Sequence, residues 1–301
     1  LGIFFLKKLL QNYFSPTLVC IALLCLYSGT NLYHYTISQP GMSHVYSFFL
    51  FSAFIYLTPK FLSNPAIKNT LLISFIFSLI TLIRPVNIIV FLFILFFDIY
   101  SVENLKERYN FFKKNIMKIF LFPLMIILMF IPQLLYWHYI SGNFVMDSYQ
   151  GEGFIYWNQP KILLVLFDVE SGLFLYTPLM LFIVAGLAIS LIRQNLHCNS
   201  ILLIFILATY IFSSWWDWDF GCSFSHRCYA EYLSFFSFPL LYVISLINSI
   251  EKRIIKASIF FIMVFFIFYN IKLTYMYPGC WAGPQWNWEE YFKLINRLFV
   301  F

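Results

Sequence analysis

Long uncharged runs set the pattern of this chain. Residues 9–59 carry no charge at all, and further uncharged runs cover 119–137, 171–192, 194–216 and 232–250. A run at 257–271 is shorter but dense in Phe and Ile. A helix crossing a bilayer needs about 20 apolar residues, so each run predicts one or two spans. The first is divided by "YSGTNLYHYTISQPGMSH", a polar region with Gly and Pro that predicts a turn. The stretch 69–97 is broken only at Arg84-Pro85. Both of its flanks are basic, through Lys60 and Lys68 on one side and Lys106, Arg108, Lys113, Lys114 and Lys118 on the other. Lys and Arg accumulate on the cytoplasmic side, so 69–97 reads as two short helices with Arg84-Pro85-Val86-Asn87 at their outer turn.

The pattern therefore predicts an all-α, polytopic integral membrane protein with about nine spans: 15–29, 44–58, 69–83, 86–98, 118–138, 172–191, 201–214, 229–249 and 257–274. Residues 1–274 form the helical domain, with external loops at 139–171 and 215–228. Residues 275–301 form an external tail. The N-terminus, 59–68, 99–117, 192–200 and 250–256 lie inside and carry most of the Lys and Arg. Helices are the expected element because lipid leaves no other partner for the backbone. The segment "PKILLVLF" is too short to cross and reads as a surface helix.

Composition strengthens this picture. Of 301 residues, 61% are hydrophobic and only 11% charged, against roughly 25% charged in soluble domains; mean hydropathy is +0.80. The net charge of +6 follows from the inside loops and does not point to nucleic acid. The six cysteines show no CxxC pair. Cys222, Cys228 and Cys280 fall in external segments, where a disulfide can form, but small apolar filler is the leading reading. The chain starts at Leu1, inside an apolar segment, and reads as a fragment without its natural N-terminus.

Scarce polar groups gather in the segments assigned outside. "SSWWDWDFGCSFSHRCYAEY" (213–232) holds Asp217, Asp219, His226, Arg227 and Glu231. Its tryptophans suit the aromatic belt of a membrane interface. Asp217 and Asp219 read equally well as solvated loop carboxylates, and His226 as a satisfied loop histidine. Arg227 and Glu231, four apart at a helix start, would share one face and pair; charges at that depth are functional candidates by default. Arg84 either snorkels to headgroups or clamps a phosphate with its guanidinium fork. His44 begins a helix and reads first as a cap or core hydrogen bonder. In 139–171, Asp147, Tyr149 and Glu152 stand together, with Glu152 presented between Gly151 and Gly153. A divalent metal would fit near Asp147 and Glu152, although no ligand spacing demands one.

"GTNLYHYTISQPGMSHVYSFFLF", "LIRPVN", "PQLLYWHYISGNFVMDSYQGEGF", "GLFLYTPLML" and "SSWWDWDFGCSFSHR" resemble, in order and spacing over about 27–240, bacterial multi-spanning glycosyltransferases. The chain is similar to the protein O-mannosyltransferases and aminoarabinose transferases of the GT-C superfamily. Gly221, Ser223, Phe224 and Arg227 match the pattern; Asp217 and Asp219 stand where Cys, Trp, Gln or Tyr is more usual. The resemblance implies a plasma-membrane transferase with its active face external. It would move a sugar from a polyprenyl-phosphate carrier to a glycan, lipid or protein acceptor. Substrate contacts would come from Arg84, Glu152, Arg227, Tyr149, His44, Asp217 and Glu231. The resemblance puts the catalytic carboxylate in a first external loop, which would precede residue 1, so the chain alone is expected to lack its general base. A polysaccharide polymerase, a lipid-linked-sugar flippase or transporter, and an inactive membrane remnant are the rival readings. Charges lining mid-membrane paths would favour transport; here they collect at helix ends.

Overall fold

The computed structural model describes residues 1–146, 151–281, 283 and 285–298. Among these residues there are helices and no strand. The chain opens with Gly2–Leu10 (α1), Pro16–Ser28 (α2) and Asn31–Ile37 (α3). Ser43–Ser63 (α4) and Ile67–Ile83 (α5) follow, then a 3-10 helix at Pro85–Val90 and Phe91–Leu95 (α6). Next come Val102–Lys114 (α7), Ile116–Ile119 (α8), Leu121–Ser141 (α9), Ile162–Phe167 (α10) and Leu173–Tyr176 (α11). Met180–Arg193 (α12), Cys198–Ser214 (α13), Tyr229–Asn248 (α14), Arg253–Met276 (α15) and Trp288–Arg297 (α16) complete it.

Among the described residues, four helical stretches are long and apolar enough to cross a membrane: Ser43–Ser63, Ile116–Ser141, Tyr229–Asn248 and Arg253–Met276. α2 and α3 qualify together as a fifth, bent by 67°. The bend falls where the Thr30 hydroxyl starts a new helix by accepting from Leu32 N, as an N-cap does. Further apolar helices at Ile67–Ile83, Pro85–Leu95, Met180–Arg193 and Cys198–Ser214 are shorter than a full crossing. Four or five stretches thus have crossing length, and the expected count of about nine is reached only if the four shorter helices cross as well. One span also breaks: 172–191 is two helices, interrupted at Thr177-Pro178 because Pro178 supplies no amide hydrogen for continuous pairing. The break foreseen at Arg84-Pro85 is present, with Pro85 opening the 3-10 helix, and "PKILLVLF" yields the six-residue α10.

α14 is the axis of the bundle. Of its apolar window 89% is buried, against 6% for the Ile116–Ser141 helix and 17% for α15. α4 and α12 pack along α14. Gly186 lets α12 approach it closely, since a Cβ there would come into collision with the Pro239 carbonyl. The peripheral helices turn apolar side chains outward, among them Ile127, Leu128, Ile131 and Leu135 of α9 and Phe261 and Val264 of α15. An apolar outer face of this extent is a liability in water and ordinary in lipid, where neighbouring chains are as apolar as the side chains. The helices are those of a membrane-embedded protein.

Polar contacts collect at the two ends of α13, about 25 Å apart at 1.5 Å per residue. At its start, His197 Nδ1 meets Asp98 Oδ1 at 2.8 Å and its Nε2 meets Tyr13 OH at 3.1 Å. The Tyr100 hydroxyl donates to Asp98 and accepts from His197 N. Segments expected on the inside thus meet one another. At its far end, Lys161 N donates to Ser213 O and Tyr156 N to Ser214 O, so the 151–171 segment folds onto the 215–228 loop.

Candidate functional site

The site grows from the turn between α5 and the 3-10 helix. Arg84 caps that 3-10 helix, and a 3-10 helix sets residues three apart on one side. Arg84 and Asn87 accordingly reach the same oxygen. Arg84 Nη1 lies 3.5 Å from Glu231 Oε1, and Asn87 Nδ2 donates to it at 3.1 Å. Tyr232 OH donates to Asn87 Oδ1 at 2.8 Å and holds the amide in that orientation. The other Glu231 oxygen faces His44 Nδ1 at 3.5 Å, an ion-pair distance without a hydrogen bond. His44, in the first turn of α4, also has its Nε2 3.5 Å from Arg84 Nη2. Arg84 Nη1 donates to Cys228 Sγ at 3.0 Å. Glu231 is fully buried and His44 nearly so, whereas Arg84 keeps 23% of its side chain exposed. The member of the cluster that reaches the surface is therefore a cation.

The expected Arg227–Glu231 pair is absent among the described residues. α14 begins at Tyr229, and Ser225 has a positive φ of 54°. Arg227 is therefore outside the helical register that would set it four residues along the same face. Its guanidinium lies 5.6 Å over the Phe220 ring, and its buried Nε has no hydrogen-bond partner. It makes no ion pair with a described residue. In the segments that meet here, Asn31 Oδ1, both nitrogens of His34, His226 Nδ1 and the Tyr277 hydroxyl are buried without hydrogen-bond partners among the described residues. The segments they come from are bound together by hydrogen bonds. Asn31 Nδ2 donates to His226 O at 3.2 Å, and Tyr35 OH donates to Phe224 O at 3.1 Å. The His34 ring stacks on Phe224, centroids 4.4 Å apart. Buried polar groups are normally paired, so these atoms leave hydrogen-bonding capacity beside Arg227 that a polar ligand could use.

His226 is a satisfied loop histidine on one side only. Its Nε2 is 3.1 Å from Trp218 O, its ring stacks on Phe212, and burial lowers its pKa to about 3. Asp217 and Asp219 are neither simply solvated nor in contact with Arg84. Burial first, then the hydrogen bond and charge of Asp217, push Asp219 up to about 7. Folding favours protonated Asp219, so its contribution is fully present below the ordinary carboxylate range and is lost as pH rises through about 7. Asp219→Asn is expected to flatten the fall in melting temperature between pH 4 and 8 in detergent; an unaltered profile would assign that fall to other groups.

Glu152 is exposed and joins neither arginine through any contact among the described residues. The flanking Gly153 carbonyl accepts instead from Trp216 N at 2.9 Å. Tyr149 and Asp147 lie outside the described residues. Among the described residues no group of three or more His, Cys, Asp or Glu side chains could hold a metal ion. The reading of the cysteines as filler is corrected at one pair: Cys222 and Cys280 form a disulfide, tying the 215–228 loop to the tail. Trp281 beside it stacks on Trp286 and Tyr176. Cys228 stays free and buried against Arg84. Sequence reasoning missed Asn87, His34 and Tyr277. The 3-10 spacing in "RPVN" was a usable signal for Asn87; no one-dimensional pattern marks the other two.

No family model matches the chain, nor does any curated protein or solved structure.

Proposed function

We propose that this end of the bundle binds the phosphate of a polyprenyl-phosphate sugar, and that the chain belongs to a membrane glycosyltransferase acting on the external face. The observation that carries the reading is Arg227, a cation with an unpartnered buried Nε amid orphaned polar atoms. A second cation, Arg84, is the partly exposed member of the Glu231 cluster. Two guanidinium groups at the end of apolar helices suit a ligand whose tail stays in lipid while its phosphate reaches the interface. Tyr277, half-buried beside Phe224, is the aromatic residue there whose ring is not fully covered, and an aromatic face suits a pyranose ring. The Cys222–Cys280 disulfide supports the external assignment, since such bonds persist on the oxidising side.

In the transfer, the acceptor oxygen bonds to the anomeric carbon as the bond from that carbon to the phosphate oxygen breaks. The acceptor's hydroxyl proton passes to a carboxylate base, and the phosphate leaves on the carrier with its charge met by the cations. Arg227 takes the phosphate, Arg84 assists it, and Glu231 with Asn87 and His44 orients Arg84. The protein in detergent, titrated with a polyprenyl phosphate by native mass spectrometry, tests this. Arg227→Ala is expected to weaken binding about 10- to 100-fold, the worth of a charge-assisted hydrogen bond. Equal binding by the variant, or equal binding of the neutral polyprenol, would overturn the reading.

A further inference from the structure

At the other end of the bundle, α7 carries side chains of three kinds on three separate sectors. At 3.6 residues per turn, Asn104, Arg108, Phe111 and Phe112 fall on one side. These are its partly buried positions, and Arg108 there donates to Phe97 O at 2.7 Å. Val102, Leu105 and Tyr109 fall on a second side and are exposed by 62%, 46% and 66%. Glu103, Lys106, Glu107, Asn110, Lys113 and Lys114 fall on the third, all exposed. Lys106 and Lys113 stand at the border of the apolar and polar sectors. None of Lys106, Lys113 and Lys114 is in an ion pair among the described residues. The Ser101 hydroxyl caps the helix by accepting from Asn104 N, which fixes where the helix starts and hence how its sectors are turned.

The apolar sector is also a wall of a cavity. Between the start of α7 and the outer side of α13 runs a groove of about 560 Å³. Its apolar lining includes Phe96, Ile99, Leu105, Leu202, Leu203 and Ile206, with Val102 at its edge. A helix with protein on one side, an apolar stripe on the next and unpaired lysines bordering that stripe is arranged to lie in a bilayer surface. The long lysine stems run along the apolar stripe and set their ammonium groups at headgroup level.

We propose that α7 and this groove bind an anionic phospholipid of the adjoining leaflet. An acyl chain occupies the groove between α7 and α13, and Lys106 and Lys113 meet the headgroup phosphate. Charge complementarity selects an anionic over a zwitterionic lipid. The site is independent of the arginine site: it sits at the His197 end of α13, and its cations are ammonium groups on an exposed surface.

The test uses the chain in detergent, exchanged with dioleoyl phosphatidylglycerol or dioleoyl phosphatidylcholine and followed by native mass spectrometry. The phosphatidylglycerol adduct is expected to be the tighter. Lys106→Gln with Lys113→Gln is expected to weaken it about 30-fold, about fivefold per lysine near an anionic headgroup, while leaving the phosphatidylcholine adduct unchanged. Leu203→Trp, which fills the groove, is expected to weaken the dioleoyl lipid and spare a dihexanoyl phosphatidylglycerol. All three positions are outside the buried core, and an unchanged melting temperature in phosphatidylcholine verifies folding. Equal binding of the two lipids, or full phosphatidylglycerol affinity in the double lysine variant, would overturn the proposal.

Discussion

Glu231→Ala is expected to destabilise the protein by about 3–5 kcal/mol, the cost of breaking a buried ion pair by removing one member. Glu231 has no exposed surface, and Arg84 and Asn87 both converge on its Oε1. Without it, the Arg84 guanidinium keeps Cys228 Sγ as its partner, which carries no compensating charge in its neutral form. Asn87 loses the acceptor for its amide as well. Glu231→Gln should cost less, because an amide oxygen still accepts from Asn87 while the charge on Arg84 stays unmatched. The double replacement Arg84→Met with Glu231→Leu separates the two contributions. Removing both charges together deletes the desolvation penalty with the attraction, so the double variant should lie well above the sum of the singles. Unfolding in a denaturing detergent titration reads these variants together with the Arg84→Met and Glu231→Leu singles. If Glu231→Ala melted with the parent, the cluster would not be the interior ion pair described above.

The same cluster shows where one-dimensional reading stops. Charge scarcity singled out Arg84, His44, Arg227 and Glu231 at helix ends, and the Pro85 break told where the chain leaves α5. Those features are local: a missing amide hydrogen or a guanidinium amid apolar residues is visible without knowing any neighbour. Partner choice is not local. Glu231 was matched to Arg227 because four residues separate them, yet its cation arrives from a different helix, 147 positions earlier in the chain. The register rule failed because α14 starts only at Tyr229. Helix lengths within the spans were not legible for a related reason. An apolar run fixes how much helix lipid or core can accept, but the 67° bend between α2 and α3 and the break before α12 depend on capping and proline effects inside such runs. Glu152, a well-presented carboxylate in the sequence, stands exposed and apart from the buried cluster.

Loss of the Cys222–Cys280 bond is the other large effect expected. Its members are 58 positions apart, and closing a loop of that length lowers unfolded-chain entropy by the equivalent of about 4 kcal/mol. The tail is also held by other means. Trp286 Nε1 donates to Val169 O at 2.7 Å, and Trp281 is buried among Tyr176, Phe224 and Tyr277. Cys222→Ser should therefore lower stability by about 2–4 kcal/mol while the aromatic packing keeps the tail docked. The bond also reports sidedness. Cysteine pairs persist where the surroundings oxidise, so in sealed vesicles an impermeant reductant followed by an impermeant maleimide should label Cys222 and Cys280 from that side alone. Labelling before reduction would mean the bond does not form. Labelling from the side bearing the α7 lysines would put both polar ends of α13 on one face of the membrane and would rule out α13 as a span.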